Sequence, residues 1–187
     1  MKARPVTNPG QALRESNRAD QSVLRESERN RLACSTVKLT KILVPVDFSD
    51  CSRKALAYAV PFAEQFGASL VVLHVIPPYY AVDPYGLAQI ERIEAELEQN
   101  GRSRLTELVI DTVPSDINAG ILLRHGRATA EIVDAAKELE IDLIIISTHG
   151  HTGLKHVVFG STAENVIRHA PCPVLTVREK EHEFIGN

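Results

Sequence analysis

Residues 142–166 read DLIIISTHGHTGLKHVVFGSTAENV, an order in which an apolar strand is followed by a glycine-rich loop and an amphipathic helix. Glycines let a backbone approach an anion closely and adopt positive φ. Gly160, Ser161 and Thr162 open the helix, whose first turn offers unpaired N–H groups and the positive end of its dipole. The two hydroxyls can cap the helix and donate to a phosphate oxygen. This segment therefore predicts a phosphate-binding cradle.

Two common phosphate motifs are excluded by the same segment. A Walker A loop ends in Gly-Lys-Ser/Thr, whereas Gly160 is followed directly by Ser161. A dinucleotide fingerprint needs closely spaced glycines, and Gly150, Gly153 and Gly160 stand too far apart. The chain also lacks the nucleophile elbow Gly-x-Ser-x-Gly and an acidic pair at an obvious metal-bearing strand end. We therefore predict no catalytic residues.

The elements that must position the loop alternate regularly from Lys41 onward. Apolar runs predict strands at 41–47, 69–76, 117–126, 143–147 and 173–177. Helical patterns lie between them, at 49–67, 86–108, 129–139 and 156–169. In the first helix, Leu56, Val60, Ala63 and Phe66 share a face that we expect to point inward. Strands that are apolar on both faces and separated by helices predict a doubly wound, five-stranded parallel sheet with helices on both faces, an α/β sandwich.

Four residues fall at or just beyond the predicted strand ends: Asp47, Val75, Gly126 and Ser147. The carboxyl ends of parallel strands meet at one edge of the sheet, where such folds bind ligands. A carboxylate at Asp47 can accept hydrogen bonds from hydroxyl or amine groups of a ligand. It can also cap the helix that begins near Ser49, and the two roles are compatible. Ser161 and Thr162 also have two possible roles, since they can contact a phosphate or simply cap the last helix.

The chain resembles the universal stress protein family, in its nucleotide-binding subgroup. The resemblance covers residues 39–178 and rests on KILVPVDFS, on LHVI at the end of the second strand, and on AENVIRHAPCPVLTVR. Nucleotide-binding members carry Gly-x2-Gly-x9-Gly-Ser/Thr after the fourth strand. Here Gly150 and Gly160-Ser161 match the second part, while Ser147 replaces the first glycine. The resemblance implies the Rossmann-like fold of the adenine nucleotide α-hydrolase-like class.

The resemblance also implies which residues hold a nucleotide. Pro45, Val46 and Asp47 would lie at the adenine and ribose end, with Val75 against the base. Ile146 and Ser147 would lie beneath the nucleotide, and Gly126 fits a family position before the third helix. The phosphates would be held by Gly150, Gly160, Ser161 and Thr162. The implied ligand is ATP or ADP, and a Mg²⁺ ion would bridge the phosphates and keep several waters.

The resemblance implies an ATP-binding protein of the stress response, regulatory or protective, that is not an enzyme beyond slow ATP hydrolysis. One alternative is an interaction module of the same fold that binds no nucleotide. A second is an adenylating enzyme, which would typically need Ser-Gly-Gly-x-Asp-Ser near the first strand. VDFSDCS lacks those glycines. Because it ends the domain, the last strand is expected at an exposed edge of the sheet. Together with the resemblance, this predicts a homodimer through that strand and leaves other protein partners unknown.

Composition limits the remaining classes. The net charge of −3 implies no basic face, so we expect no nucleic-acid partner. No apolar run reaches the ~18 residues that span a bilayer, and the polar N-terminus is not a secretory signal. The three cysteines share no metal spacing, which is typical of reduced thiols in the cytoplasm. His149, His151 and His156 lack a carboxylate at ligand spacing, so we predict no metal site in the protein.

Two polar segments flank the domain. Residues 1–38 are rich in Arg, Glu, Ser and Asn, which predicts a disordered or partly helical extension. ALRESNR at 12–18 recurs as VLRESER at 23–29, an eleven-residue period that a partner-binding helix could use. Residues 179–187 form a short C-terminal tail. The predicted organisation is therefore an extension at 1–38, a domain at 39–178 and a tail at 179–187.

Overall fold

The computed structural model describes residues 37–78, 87–148 and 160–179, apart from the side chains of 87–91. These residues form five strands and four helices, in a compact unit that begins at Leu39. In chain order the elements are β1 (Lys41–Pro45), α1 (Asp50–Phe66), β2 (Ser69–Ile76), α2 (Leu87–Thr112), β3 (Ala119–His125), α3 (Ala128–Glu138), β4 (Leu143–Ser147), α4 (Ser161–His169) and β5 (Val174–Val177). Within these ranges, no helix is both long and apolar enough to cross a membrane.

The five strands form one parallel sheet in the order β3-β2-β1-β4-β5. The chain moves outward from β1 to β2 and β3, and then returns to place β4 and β5 on the other side of β1. The sequence prediction of a doubly wound parallel α/β sheet is confirmed. The reversal of strand order lies between β1 and β4, which is where such sheets hold ligands.

Both faces of the sheet are buried because successive side chains of a strand point to opposite faces. On β1, Ile42 and Val44 belong to a core that they share with α1 and α2, including Leu56 and Leu105. Leu43 lies on the other face, in a second core with residues of α3 and α4. This arrangement explains why the strands are apolar throughout and do not alternate with polar residues.

The β1–β4 pair is short, and one aspartate helps to fix it. Only Ile42↔Leu143 and Leu43↔Ile144 are in register. Just before β4, Asp142 Oδ2 accepts hydrogen bonds from the Thr40 amide (2.8 Å), the Thr40 hydroxyl (2.6 Å) and the Lys41 amide (3.0 Å). This side chain acts together with the Asp142 amide, which donates to the Lys41 carbonyl oxygen (3.0 Å), to position β4 against β1.

The helix limits follow the sequence signals in part. The helix predicted at 49–67 matches α1, which Ser49 caps by accepting from the Ser52 amide and which Gly67 ends in the left-handed conformation. The predicted inward face is correct for Leu56 and Ala63, which are buried, but wrong for Phe66, which is 42% exposed. The Phe66 ring lies at the last turn of α1, where it stacks on Phe62 of the same helix. Helix α2 continues to Thr112, beyond its predicted end at residue 108.

Candidate functional site

A cavity of about 410 Å³ opens at the carboxyl ends of the strands. Every predicted site residue that the structure describes lines it: Pro45, Val46, Asp47, Val75, Gly126, Ile146, Ser147, Gly160, Ser161 and Thr162. Gly150, together with His149, His151 and His156, lies outside the described residues. The volume falls in the range of small-molecule sites, roughly 300–1,000 Å³. Segments far apart in the chain therefore meet around one space large enough for a ligand.

Sequence reasoning missed part of this lining. Ser52, Leu73, His74, Pro77, Ala128, Ile132, Thr148 and Ala163 also face the cavity. Six of the eight lie within two positions of a predicted site residue, so extending the predicted positions by one or two residues would have found them. Ser52 lies five positions beyond Asp47, on α1. Ile132 is different because it reaches the cavity from α3. Its place on the inward face of that helix was the only available signal.

Asp47 follows the end of β1, and both its carboxylate and its backbone amide make hydrogen bonds with nearby serines. Its Oδ1 accepts from the Ser49 amide (3.0 Å) and the Ser49 hydroxyl (2.5 Å). Its own amide donates to the hydroxyl of buried Ser52 (3.3 Å). Asp47 is therefore not the helix cap itself but supports Ser49, which is. A carboxylate has about four acceptor sites, so this support is compatible with a ligand.

Phe48, which follows Asp47, has a left-handed backbone with φ +65°. Its side chain is 6% exposed and its ring centroid lies 4.5 Å from that of His74. The guanidinium of Arg104, on α2, covers the same ring with its central carbon 4.0 Å from the centroid. No sequence pattern pointed to these three residues as neighbours of the site.

His74 links this stack to the end of β1. Its Nδ1 lies 2.8 Å from the Val46 carbonyl oxygen. Since a carbonyl only accepts, Nδ1 carries the hydrogen. Burial lowers the pKa of His74 below its usual value, because it disfavours the charged ring. The hydrogen bond to Val46 and the charge of Asp47 raise that pKa, while the charge of Arg104 lowers it further.

Of the segment for which the sequence predicts a phosphate cradle, the structure describes the part from Gly160 onward. Gly160 is the N-cap of α4, and no side chain makes a cap hydrogen bond there. Helix α4 begins at Ser161 and not at residue 156, so the prediction that Ser161 or Thr162 caps the helix is wrong. Both residues instead belong to the first turn and line the cavity. The first amides of a helix have no partner within it, so this turn offers donors to an anion.

Close approach is the reason for glycine at position 160. Its amide donates to the Thr148 carbonyl oxygen at 2.7 Å, and a Cβ at Gly160 would lie only 3.0 Å from that oxygen. Its φ of −67° is open to any residue. Ser147 is not strained either, because Phe48 and Glu140 are the non-glycine residues with positive φ in the described ranges. A serine can therefore stand at the position of the first motif glycine.

Position 126 requires glycine both for its positive φ and for the close approach of a neighbouring side chain. Its φ is +146°, and a Cβ would lie 2.6 Å from Glu131 Oε1. Its amide donates to the Ile76 carbonyl oxygen at 3.0 Å, which ties the β3–α3 turn to the end of β2. Glu131 in turn lies 3.7 Å from the Arg124 guanidinium. This tight turn brings the start of α3 to the cavity.

Comparison with known proteins places this geometry in a family. A family model described as the universal stress protein family matches residues 38–178. The chain belongs to this family. Among relatives, universal stress protein MJ0531 of Methanocaldococcus jannaschii is 32% identical over 145 residues, covering 76% of this chain and 84% of that protein.

Solved structures of universal stress proteins share the fold. The structure of protein MJ0577 of Methanocaldococcus jannaschii has a TM-score of 0.68 at 27% identity and covers 78% of this chain and all of that one. A universal stress protein solved in complex with cAMP has a TM-score of 0.51 at 22% identity, covering 75% of this chain and 98% of that one. The latter likeness shows the fold alone. The structure and the family match together confirm the predicted family and fold.

Proposed function

We propose that this universal stress protein binds ATP or ADP in the cavity at the ends of β1 and β4, and acts in the cytoplasm as a nucleotide-responsive regulatory or protective protein. The observation that carries the proposal is the cavity lining. Residues predicted from the sequence to hold base, ribose and phosphate are separated by up to 117 positions, from Pro45 to Thr162, and line one space.

The lining is divided in a way that suits a nucleotide. Pro45, Val46, Val75 and Ile146 offer apolar surface to a planar base. Asp47 offers acceptors to ribose hydroxyls or to the adenine amine. On the far side, the start of α4 offers backbone amides, hydroxyls and the positive end of a helix dipole to the phosphates. A Mg²⁺ ion would be held chiefly by phosphate oxygens and water, since the described residues contain no metal-binding cluster.

The same lining supports at most slow hydrolysis of ATP. Asp47 and His74 are the titratable side chains among the described lining residues. Asp47 accepts two hydrogen bonds from Ser49, and His74 Nδ1 is bonded to the Val46 carbonyl. Both are therefore committed to holding the β1–α1 turn. A general base must be positioned for the proton that it takes. The hydrogen bonds of Asp47 and His74 position both side chains at the β1–α1 turn.

Nucleotide content and affinity test the proposal directly. The protein is purified without added nucleotide and denatured, the released compounds are identified, and the emptied protein is titrated with ATP and ADP by calorimetry. Release of ATP or ADP, or saturable binding of either, supports the proposal. Asp47→Asn should weaken binding, whereas Asp50→Asn, in the first turn of α1 and outside the cavity lining, should not.

The opposite outcomes separate the alternatives. An empty protein that also fails to bind ATP would refute the proposal and favour an interaction module without nucleotide. Conversion of ATP to AMP and pyrophosphate with an acceptor would instead indicate an adenylating enzyme.

We also propose that the domain spans 39–178 and pairs with a second copy through β5. Strand β5 is the outermost strand beside β4. The carbonyl oxygens of Pro173 and Val177 accept from β4, so the backbone polar groups of Val174 and Thr176 point to the open edge. An open edge of this kind is stabilised when a second strand pairs with it.

A further inference from the structure

Phe48 combines two features that are rarely found together. A bulky side chain disfavours positive φ, yet Phe48 has φ +65° and a buried ring. Strained backbone of this kind persists only where the surrounding structure holds it, and it is common beside functional sites. The strained residue directly follows Asp47, which lines the cavity. The left-handed turn therefore sets the direction of the chain between Asp47 and its hydrogen-bond partner Ser49.

Two side chains enclose the Phe48 ring. His74 lies on one side and is itself fixed by its bond to the Val46 carbonyl. Arg104 lies over the ring, at a distance typical of a cation–π contact. The helix that carries Arg104 comes close because Gly101 has no side chain. A Cβ there would lie 3.1 Å from Leu123 Cδ1 and 3.6 Å from His74 Cδ2.

We propose that Arg104, which does not line the cavity, is a positioning residue for the nucleoside contact made by Asp47. The inference rests on the proposed nucleotide function. Arg104 holds the Phe48 ring against His74, and the held ring keeps the backbone of Phe48 left-handed. Without this contact the backbone can relax to negative φ. Relaxation turns the peptide group after Asp47 and separates its carboxylate from the group that it would bind.

The test compares nucleotides that differ only where Asp47 acts. Affinities of the full chain are measured by calorimetry for ATP, for 2′,3′-dideoxy-ATP, which lacks the ribose hydroxyls, and for ITP, which lacks the adenine amine. In Arg104→Met we expect the Kd for ATP to rise roughly twofold to fivefold, the span of a cation–π contact at an exposed site. The analogue that lacks the group bound by Asp47 should be nearly insensitive to the substitution.

Two variants on the same helix serve as controls. Arg104→Lys keeps a cation over the ring and should restore much of the affinity for ATP. Arg102→Met removes an exposed arginine that pairs with Glu98 and should leave all three affinities unchanged. Because Arg104 is exposed, the variants should fold, and thermal unfolding confirms it.

The outcomes separate this inference from the proposed function. If Arg104→Met raises the Kd for all three nucleotides by the same factor, or changes none of the three, the positioning role is refuted while nucleotide binding stands. If the unsubstituted chain binds no nucleotide, the proposed function fails and the inference fails with it.

Discussion

Replacing Gly126 with alanine should destabilise the domain by two separate effects. At φ +146° an L-residue is strained, at a cost of about 1–3 kcal/mol. The new Cβ would also lie 2.6 Å from Glu131 Oε1, so that side chain must rotate away. Rotation weakens the partly exposed pair with Arg124, which is worth up to about 1 kcal/mol. The total loss is about 1–4 kcal/mol.

Thermal and urea unfolding can measure this loss. For chains of 150–250 residues, each kcal/mol lowers Tm by roughly 2–4 °C, so Gly126→Ala should lower it by about 2–16 °C. Gly120→Ala is the matched control in the same strand region. No atom lies within 4 Å of a Cβ at Gly120, and its φ is not positive. That variant should be unchanged or up to about 1 kcal/mol more stable.

A double variant separates strain from clash. In Gly126→Ala combined with Glu131→Ala, the clash is gone and only the backbone strain remains. We compare how much Gly126→Ala lowers the free energy of unfolding in two backgrounds. The decrease should be smaller in the chain that carries Glu131→Ala than in the original chain. The reasoning is refuted if Gly126→Ala is as stable as Gly120→Ala, because neither the strain nor the clash would then exist.

Three further outcomes are expected. Gly160→Ala should raise the Kd for ATP by about tenfold in calorimetry. The substitution breaks the hydrogen bond to the Thr148 carbonyl oxygen, at a cost of about 1 kcal/mol, and also shifts α4. An unchanged affinity would contradict the close approach. Because burial lowers the pKa of His74, its stabilising contribution is present above about pH 6.5 and is lost as the pH falls through the lowered folded value. Urea unfolding at several pH values should show a weaker acid dependence for His74→Asn, and an unaltered dependence would refute the assignment. Thr176→Pro removes an outward-facing amide and should convert a dimer into a monomer in sedimentation, whereas Thr176→Val should not.

The sequence was informative wherever a local pattern has one structural solution. Continuous apolar runs between helices allow little except a covered parallel sheet, and the carboxyl ends of its strands must share an edge. Asp47, Val75 and Ser147 could therefore be placed together before any coordinates. The limits of the first helix, predicted at 49–67, were equally clear, because the start and the end of a helix depend on a few neighbouring residues.

Other features depend on partners that are distant in the chain. The buried ring of Phe48 packs against His74 and lies under Arg104, and nothing in the local sequence DFSD reveals those contacts. Serine and threonine at 161 and 162 are common caps, yet Gly160 takes that place because its amide binds the Thr148 carbonyl. The packing of Phe48 and the cap of α4 depend on tertiary contacts, so a local sequence pattern could not predict them.

The pairing of β1 with β4 also governs how the site comes into existence. Lys41 and Asp142 are 101 positions apart, whereas β1 meets β2 after a single short helix. Long-range pairings form slowly because a large loop must close first. We therefore expect the β1–β3 half to form early and the cavity to be completed only when β4 docks. A bound nucleotide should then slow unfolding and leave the refolding rate unchanged, which stopped-flow kinetics with and without ATP can measure.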